Sequence, residues 1–448
     1  MNIPFERLFF CIGLSGRNGT RLDIKSLRVS AGIGWILMTN PGLIGGRDHF
    51  NDFDLDSKEF TEHYDEVIDA LLDKCPVAHS KAYGGYWVVS RAEDFKRCAQ
   101  DYETFTSTRG FEPSHGNEGE GAVKLYPLQI DPPYQTKWRS ALGPFFSAKA
   151  VAKHEDSIRK HVNFLIDGFI EQGSVDFVDA FAAQLPGRVF FGSFLGVSFD
   201  ELPAMQKASD DAIRGPAEGR GAAWIAVGDF LANYLTSRAS EPPRGDFVDV
   251  VLEGVPMENG EPCPFEHKMF TMVDFLAGGM GTATHTLACM AYHLATHPED
   301  AARLTDETEL RANFVDEIIR VYAPVFALGR TATRDTEIAG QPIAEGDLVM
   351  LAEGAACRDS RVAENATEVD LDRRVPLNLA FSYGPHRCIG ANVGRLEMLT
   401  ALDVMLRRLP DLTLAPGAEP VYSNSGVART MDKLEVVFTP GRRVEAQA

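Results

Sequence analysis

Apolar residues recur at helical spacing through most of residues 145–320, as in His161, Phe164, Leu165, Gly168 and Phe169. Strand-like runs are few. Tyr86-Trp87-Val88-Val89 follows Gly84-Gly85, and Glu337-Ile338-Ala339 and Asp347-Leu348-Val349-Met350-Leu351 flank Gly340-Gln341-Pro342, which predicts a strand pair around turns. The chain is therefore expected to be mainly α with minor β. Loops are predicted at Gly215-Pro216-Ala217-Glu218-Gly219-Arg220-Gly221 and at Glu241-Pro242-Pro243-Arg244-Gly245-Asp246. The stretch from Pro264 to Thr296, ended by Pro298, predicts a helix about 45 Å long at ~1.5 Å per residue. It is apolar on nearly all sides, so it is expected to be buried throughout. Its middle reads Ala277-Gly278-Gly279-Met280-Gly281-Thr282, and each glycine costs ~1 kcal/mol against alanine in a helix. Three reasons would account for this: a flat ligand approaching closely, a local opening of the hydrogen-bond ladder, or close helix packing.

The 448 residues carry 44 Lys+Arg and 64 Asp+Glu, a net charge of -20. That balance argues against general nucleic-acid binding, which needs clustered cations. The seven cysteines are odd in number and lack paired spacing, which disfavours a disulfide framework or a Cys-x-x-Cys zinc site. A reduced, cytoplasmic setting fits. Residues 8–14 are apolar but far short of the ~20 needed to span a bilayer, so a membrane anchor is not expected. Residues 1–47 read as a poorly ordered extension, 48–442 as one large domain and 443–448 as a tail. His293-Leu294-Ala295-Thr296-His297 has the spacing of a zinc-binding helix but lacks its glutamate, so a solvent-facing pair is expected.

One cysteine stands apart. In Phe381-Ser382-Tyr383-Gly384-Pro385-His386-Arg387-Cys388-Ile389-Gly390, Gly384 and Gly390 bracket Cys388, and an amphipathic segment from Ala391 to Leu409 follows. Glycines let backbone approach a large flat group. A helix N-terminus favours a thiolate, and a thiolate is a soft iron ligand.

This segment resembles the haem-binding loop of the cytochrome P450 haem-thiolate monooxygenases. Three further motifs resemble that family in the same order: the glycine-rich centre ending in Thr282, Glu317-Ile318-Ile319-Arg320, and Val369-Asp370-Leu371-Asp372-Arg373. The likeness covers roughly residues 50–442. It is greatest to bacterial camphor-hydroxylase-type members, on Gly84-Gly85-Tyr86-Trp87, Asp131-Pro132-Pro133 and Leu414-Ala415-Pro416-Gly417-Ala418. The resemblance implies a single fold with haem b (iron protoporphyrin IX) between the long helix and the cysteine loop.

It also implies roles. Cys388 would be the axial ligand within Phe381, Gly384 and Gly390. Glu317, Arg320 and Arg373 would form a buried charged network holding the loop. Arg139 and Arg330 would bind the two propionates, with His386 contributing and Asn378 standing where the family often has histidine. Thr282 would take part in oxygen activation, but Gly281 replaces the acid that usually precedes it. Asp274, two turns earlier, would either deliver protons or bind a polar group of the substrate. The aligned pocket is Phe111, Leu125, Tyr126, Ala277, Gly278, Val325, Phe326, Leu328, Val427 and Ala428. That set favours a small to medium apolar, terpenoid-like substrate. Electrons would come from a ferredoxin and its reductase, docking near Arg387 and Arg395, and the protein is expected to be a monomer. Gly281 keeps a peroxide-driven or otherwise atypical haem-thiolate enzyme as an alternative. A non-enzymatic haem-based sensor is a third reading.

Overall fold

Tyr86–Val89, buried except at Trp87, is the second strand of a five-stranded sheet whose centre is Leu348–Leu351. It pairs antiparallel with Val77–Ser80 and parallel with Leu348–Leu351, with Trp87 opposite Val349. Leu348–Leu351 pairs antiparallel with Leu328–Ala332, which ends on Phe105–Thr106. The computed structural model describes residues 40–113, 124–198, 201–215, 217–373, 378–425 and 427–444. By internal contacts the chain divides into Met1–Pro41 and Gly42–Ala448, and every element described lies in the second unit. Residues 1–39 of the expected extension and 445–448 of the tail lie outside the described residues.

The strand pair expected from 337–351 is built differently. Thr336–Ile338 pairs with Gln341–Ile343 across Ala339 and Gly340, whose φ of 48° and 86° make the turn that a two-residue hairpin favours. Leu348–Leu351 joins the large sheet instead.

The helices expected between 145 and 320 are present, including Glu155–Asp167, Leu202–Ile213, Ala217–Arg238 and Arg311–Val321. Two local expectations change. The helix from Ala217 runs through Gly219 and Gly221, so only the bend before it survives as a loop. Phe164 is exposed under the Arg188 guanidinium, while His161 and Leu165 are buried. The other loop holds: Asp246 caps the helix Phe247–Glu253 by accepting from the Asp249 N–H at 3.1 Å.

The long helix spans Phe265–Thr296. From Ala283 to Ala295 nearly every residue is buried, in a core shared with Glu155–Asp167, Arg311–Val321 and Ala391–Arg408. Its first half is not buried throughout, because Asp274, Gly278, Gly279, Gly281 and Thr282 border a cavity. A Cβ at Gly278 or Gly279 would meet nothing within 4 Å, so close helix packing does not explain them. No opening of the helix occurs there, and Thr282 donates its hydroxyl hydrogen to the Gly278 carbonyl at 2.8 Å. His293 is buried rather than solvent-facing: its Nε2 lies 2.8 Å from Asp300 Oδ2 and its ring stacks on His297.

Candidate active site

The loop before the helix Ala391–Arg408 is shaped by local hydrogen bonds. Asn378 accepts from the Ala380 N–H at 3.1 Å, Ser382 N–H donates to Leu379 O, and Cys388 N–H donates to Phe381 O at 2.8 Å. Ser382 adopts φ 60° and Gly384 φ 69°. A Cβ at Gly384 would lie 2.6 Å from the Ala99 carbonyl oxygen, so the neighbouring chain demands this glycine, not a flat ligand. Gly390 differs, since a Cβ there would have only Cys388 Sγ nearby, at 3.8 Å, and the residue borders the cavity. Two side chains of the helix Tyr134–Leu142 fasten the loop from outside. Gln135 donates to Pro385 O and Arg139 donates to Arg387 O, each at 2.5 Å.

A cavity of about 1630 Å³ lies between this loop and the long helix. That exceeds the ~300–1,000 Å³ of a site for one drug-sized molecule, and leaves room for a prosthetic group and a substrate together. Cys388, Phe381, His386 and Gly390 border it on one side, and Asp274, Ala277, Gly278, Gly281 and Thr282 on the other. Among the described cysteines only Cys388 is exposed, and the space it meets is this cavity. Removal from bulk water pushes its thiol up, against the pull of the Gly390 N–H, Arg139 and Arg387. The helix terminus alone does not make a thiolate here; a bound metal would, since coordination deprotonates a thiol.

The walls contain Phe111, Leu125, Val325, Leu328, Val427 and Ala428. Tyr126 and Phe326 do not line it. Tyr126 stacks on His267 with its hydroxyl 3.0 Å from Nε2, and Phe326 is locked among Phe53, Phe60 and Tyr64. Asn378 is also absent from the wall. Its oxygen caps Ala380 and its nitrogen donates to Asp316 O at 2.7 Å, so it holds the loop.

Buried cations test whether haem fits. Arg139 and Arg330 are both desolvated, which lowers their pKa values. Arg330 is 2% exposed and bonds only the neighbouring Gly329 carbonyl; no carboxylate lies within 4 Å of either guanidinium among the described residues. Buried charge without a counter-ion is costly. A propionate at Arg139, which borders the cavity, meets that need, so the residues fit the group; Arg330 does not itself line the cavity. His386 lies beside them, with Nε2 3.1 Å from Ser107 Oγ and 3.8 Å from Asp131.

Glu317 is fully buried and accepts four hydrogen bonds: from Arg320 Nε at 2.7 Å and Nη2 at 2.9 Å, from Arg373 Nε at 3.1 Å, and from the Asp370 N–H at 3.0 Å. Arg320 also donates to the carbonyls of Cys357, Ala366 and Glu368. Arg395 is not a free surface cation. Its Nε pairs with Asp316 at 2.8 Å and its guanidinium lies over Phe381.

Burial pushes Asp274 up to about 7, opposed by the Leu128 N–H and Arg139. Two acids escaped the sequence reading. Glu353 and Glu397 border the same cavity, and burial raises them to about 7 and about 8. Neither belongs to a spaced motif, and only the folded chain encloses them.

The family model described as Cytochrome P450 matches residues 217–437. The chain is 32% identical over 338 residues to probable cytochrome P450 127A1 of Sinorhizobium fredii, covering 75% of this chain and 80% of that protein. It is 31% identical over 352 residues to the steroid C26-monooxygenase of Mycolicibacterium smegmatis, covering 77% and 85%. The structure of CYP108D1 from Novosphingobium aromaticivorans superposes with a TM-score of 0.77 at 26% identity, over 86% of this chain and 97% of that one. The chain belongs to the cytochrome P450 family and is a monooxygenase with a haem cofactor. No helix among the described residues is long and apolar enough to cross a membrane.

Proposed function

We propose that the protein inserts one atom of dioxygen into a C–H bond of a small to medium apolar molecule. The other atom leaves as water, with two electrons and two protons supplied. One observation carries this reading: Cys388 opens onto the cavity that Thr282 and the open glycines of the long helix face. The cofactor is haem b, whose iron supplies oxygen activation, assisted in this family by electron donation from the thiolate. Cys388 is its ligand. Arg139 and Arg330 hold its propionates, in the bidentate manner that suits guanidinium and carboxylate. Glu317, Arg320 and Arg373 keep the cysteine loop in place. The apolar walls seat the substrate and exclude water. Electrons come from a ferredoxin that docks on the face carrying Arg387, with Arg395 bracing Phe381 behind it.

Thr282 holds a proton at the cavity wall through its hydroxyl. No acid precedes it, so water carries protons there. A carboxyl can be restored, because a Cβ at Gly281 would lie at an ordinary 3.5 Å from Ile213. Gly281→Asp is expected to raise product formed per electron consumed by ~2–10-fold, below the full ~100-fold or more of a positioned general acid. The measurement is turnover with reduced ferredoxin and dioxygen, set beside turnover with hydrogen peroxide. Coupling that does not move would show that water already suffices. A wild-type enzyme active only with peroxide would replace this reading with a peroxide-driven one.

A further inference from the structure

Asp274 is the only carboxyl that the long helix presents to the cavity among the described residues. It precedes Thr282 by eight residues, about 12 Å along the axis at ~1.5 Å each. A proton relay needs hydrogen-bond reach or one bridging water, so Asp274 is too distant to act on Thr282. Its surroundings supply one N–H, from Leu128, and the field of Arg139. Arg139 is also the cation that meets a propionate, whose negative charge removes what little support Asp274 has. A group on the substrate can supply the missing partner.

Other features of the cavity give that partner its sign. Asp56 and Glu112 line it as well, and the Asp56 charge adds to burial in raising Glu112; Arg109, Arg139, Arg214 and Arg220 also border the cavity, but carboxyls outnumber them eight to four in its lining. Phe111 and Trp224 offer aromatic faces, which attract cations. The chain as a whole carries -20. Such a field concentrates cations in a low-dielectric cleft.

We infer that Asp274 anchors a protonated amine on an otherwise apolar substrate, about 12 Å along the helix from the carbon that is oxidised near Thr282. This rests on the monooxygenase reading above and names the substrate class within it. Burial that pushes Asp274 up to about 7 fits an acid lacking its counter-ion, and a bound ammonium would return it to the ionised form.

The holoenzyme can be titrated by calorimetry at neutral pH with N,N-dimethyloctylamine, which is protonated there, and with decan-2-one, a neutral molecule of similar length. Wild type is expected to bind the amine at least ~10-fold more tightly, as a charge-assisted hydrogen bond allows. Asp274→Asn is expected to remove that preference while changing ketone affinity by less than about twofold, and Asp274→Glu to keep it. Equal affinity for the two probes in wild type overturns the inference, as does an amine affinity that Asp274→Asn leaves unchanged. A preference for the ketone overturns it in favour of a neutral hydrogen-bond anchor. Regiochemistry is the second readout. Oxidation along the octyl chain, away from nitrogen, supports the anchor; N-demethylation with release of formaldehyde puts the amine at the reacting centre and overturns it. An Asp274-dependent amine preference in an enzyme that oxidises neither probe would support the anchor and count against the substrate-oxidation reading instead.

Discussion

Replacing Cys388 by alanine is expected to abolish the thiolate signature of the reduced carbon monoxide complex. Monooxygenation should fall by well over the ~100-fold typical when a residue that merely orients a ligand is lost. The reason is positional. Cys388 is the one described cysteine that meets the cavity, and none of the other described thiols lines it. Cys98 is buried in the sheet core with its thiol pushed up to about 12, and Cys289 and Cys357 are buried and raised further. Cys289→Ala is therefore the control, expected to keep the spectrum. A Cys388→Ala protein with wild-type spectrum and turnover would refute the ligand assignment.

Glu317→Gln is expected to be the most destabilising isosteric change in the chain, by ~3–5 kcal/mol in denaturant unfolding of the holoenzyme. The substitution keeps the volume but leaves Arg320 and Arg373 facing each other without an anion. Arg320 is the more exposed to this loss, being 4% accessible and pinned on three carbonyls that hold the 357–368 segment. Arg373 is less enclosed and gives Glu317 a single Nε bond, so Arg373→Ala should cost distinctly less. Faster haem loss should accompany the unfolding change, because Asp316, next in sequence to Glu317, fixes the loop through its carbonyl bond from Asn378 and its ion pair with Arg395. Equal costs for Glu317→Gln and Arg373→Ala would show that charge pairing is not what holds the region.

What could be read before folding was what short spacing encodes. Glu317 and Arg320 lie three apart on one helix, so their pairing follows from helix geometry. Proline punctuation at 264 and 298 set the ends of the long helix. The cysteine loop was legible because its residues are contiguous. What failed depended on distant segments. Leu348–Leu351 took Leu328–Ala332 and Tyr86–Val89 as partners over the nearer Gln341–Ile343. Tyr126 and Phe326 turned to aromatic neighbours far along the chain, His267 and Phe53, instead of the cavity. Gly384 was read as space for a ligand, although the Ala99 backbone claims that space. The weakened acidity of Glu353 and Glu397 was invisible because enclosure is a property of the assembled core.

The open flank of the long helix has a practical corollary. At Gly278 and Gly279 an added methyl would touch no protein atom, while alanine is worth about 1 kcal/mol more than glycine inside a helix. Natural selection has left that stability unclaimed at two adjacent positions. A laboratory could take it: Gly278→Ala should raise the thermal midpoint and, in the same step, narrow the range of molecules admitted. Robustness and catalytic breadth are thus set against each other by a single methyl group, which makes these two positions the natural first dial for redesigning the enzyme's selectivity.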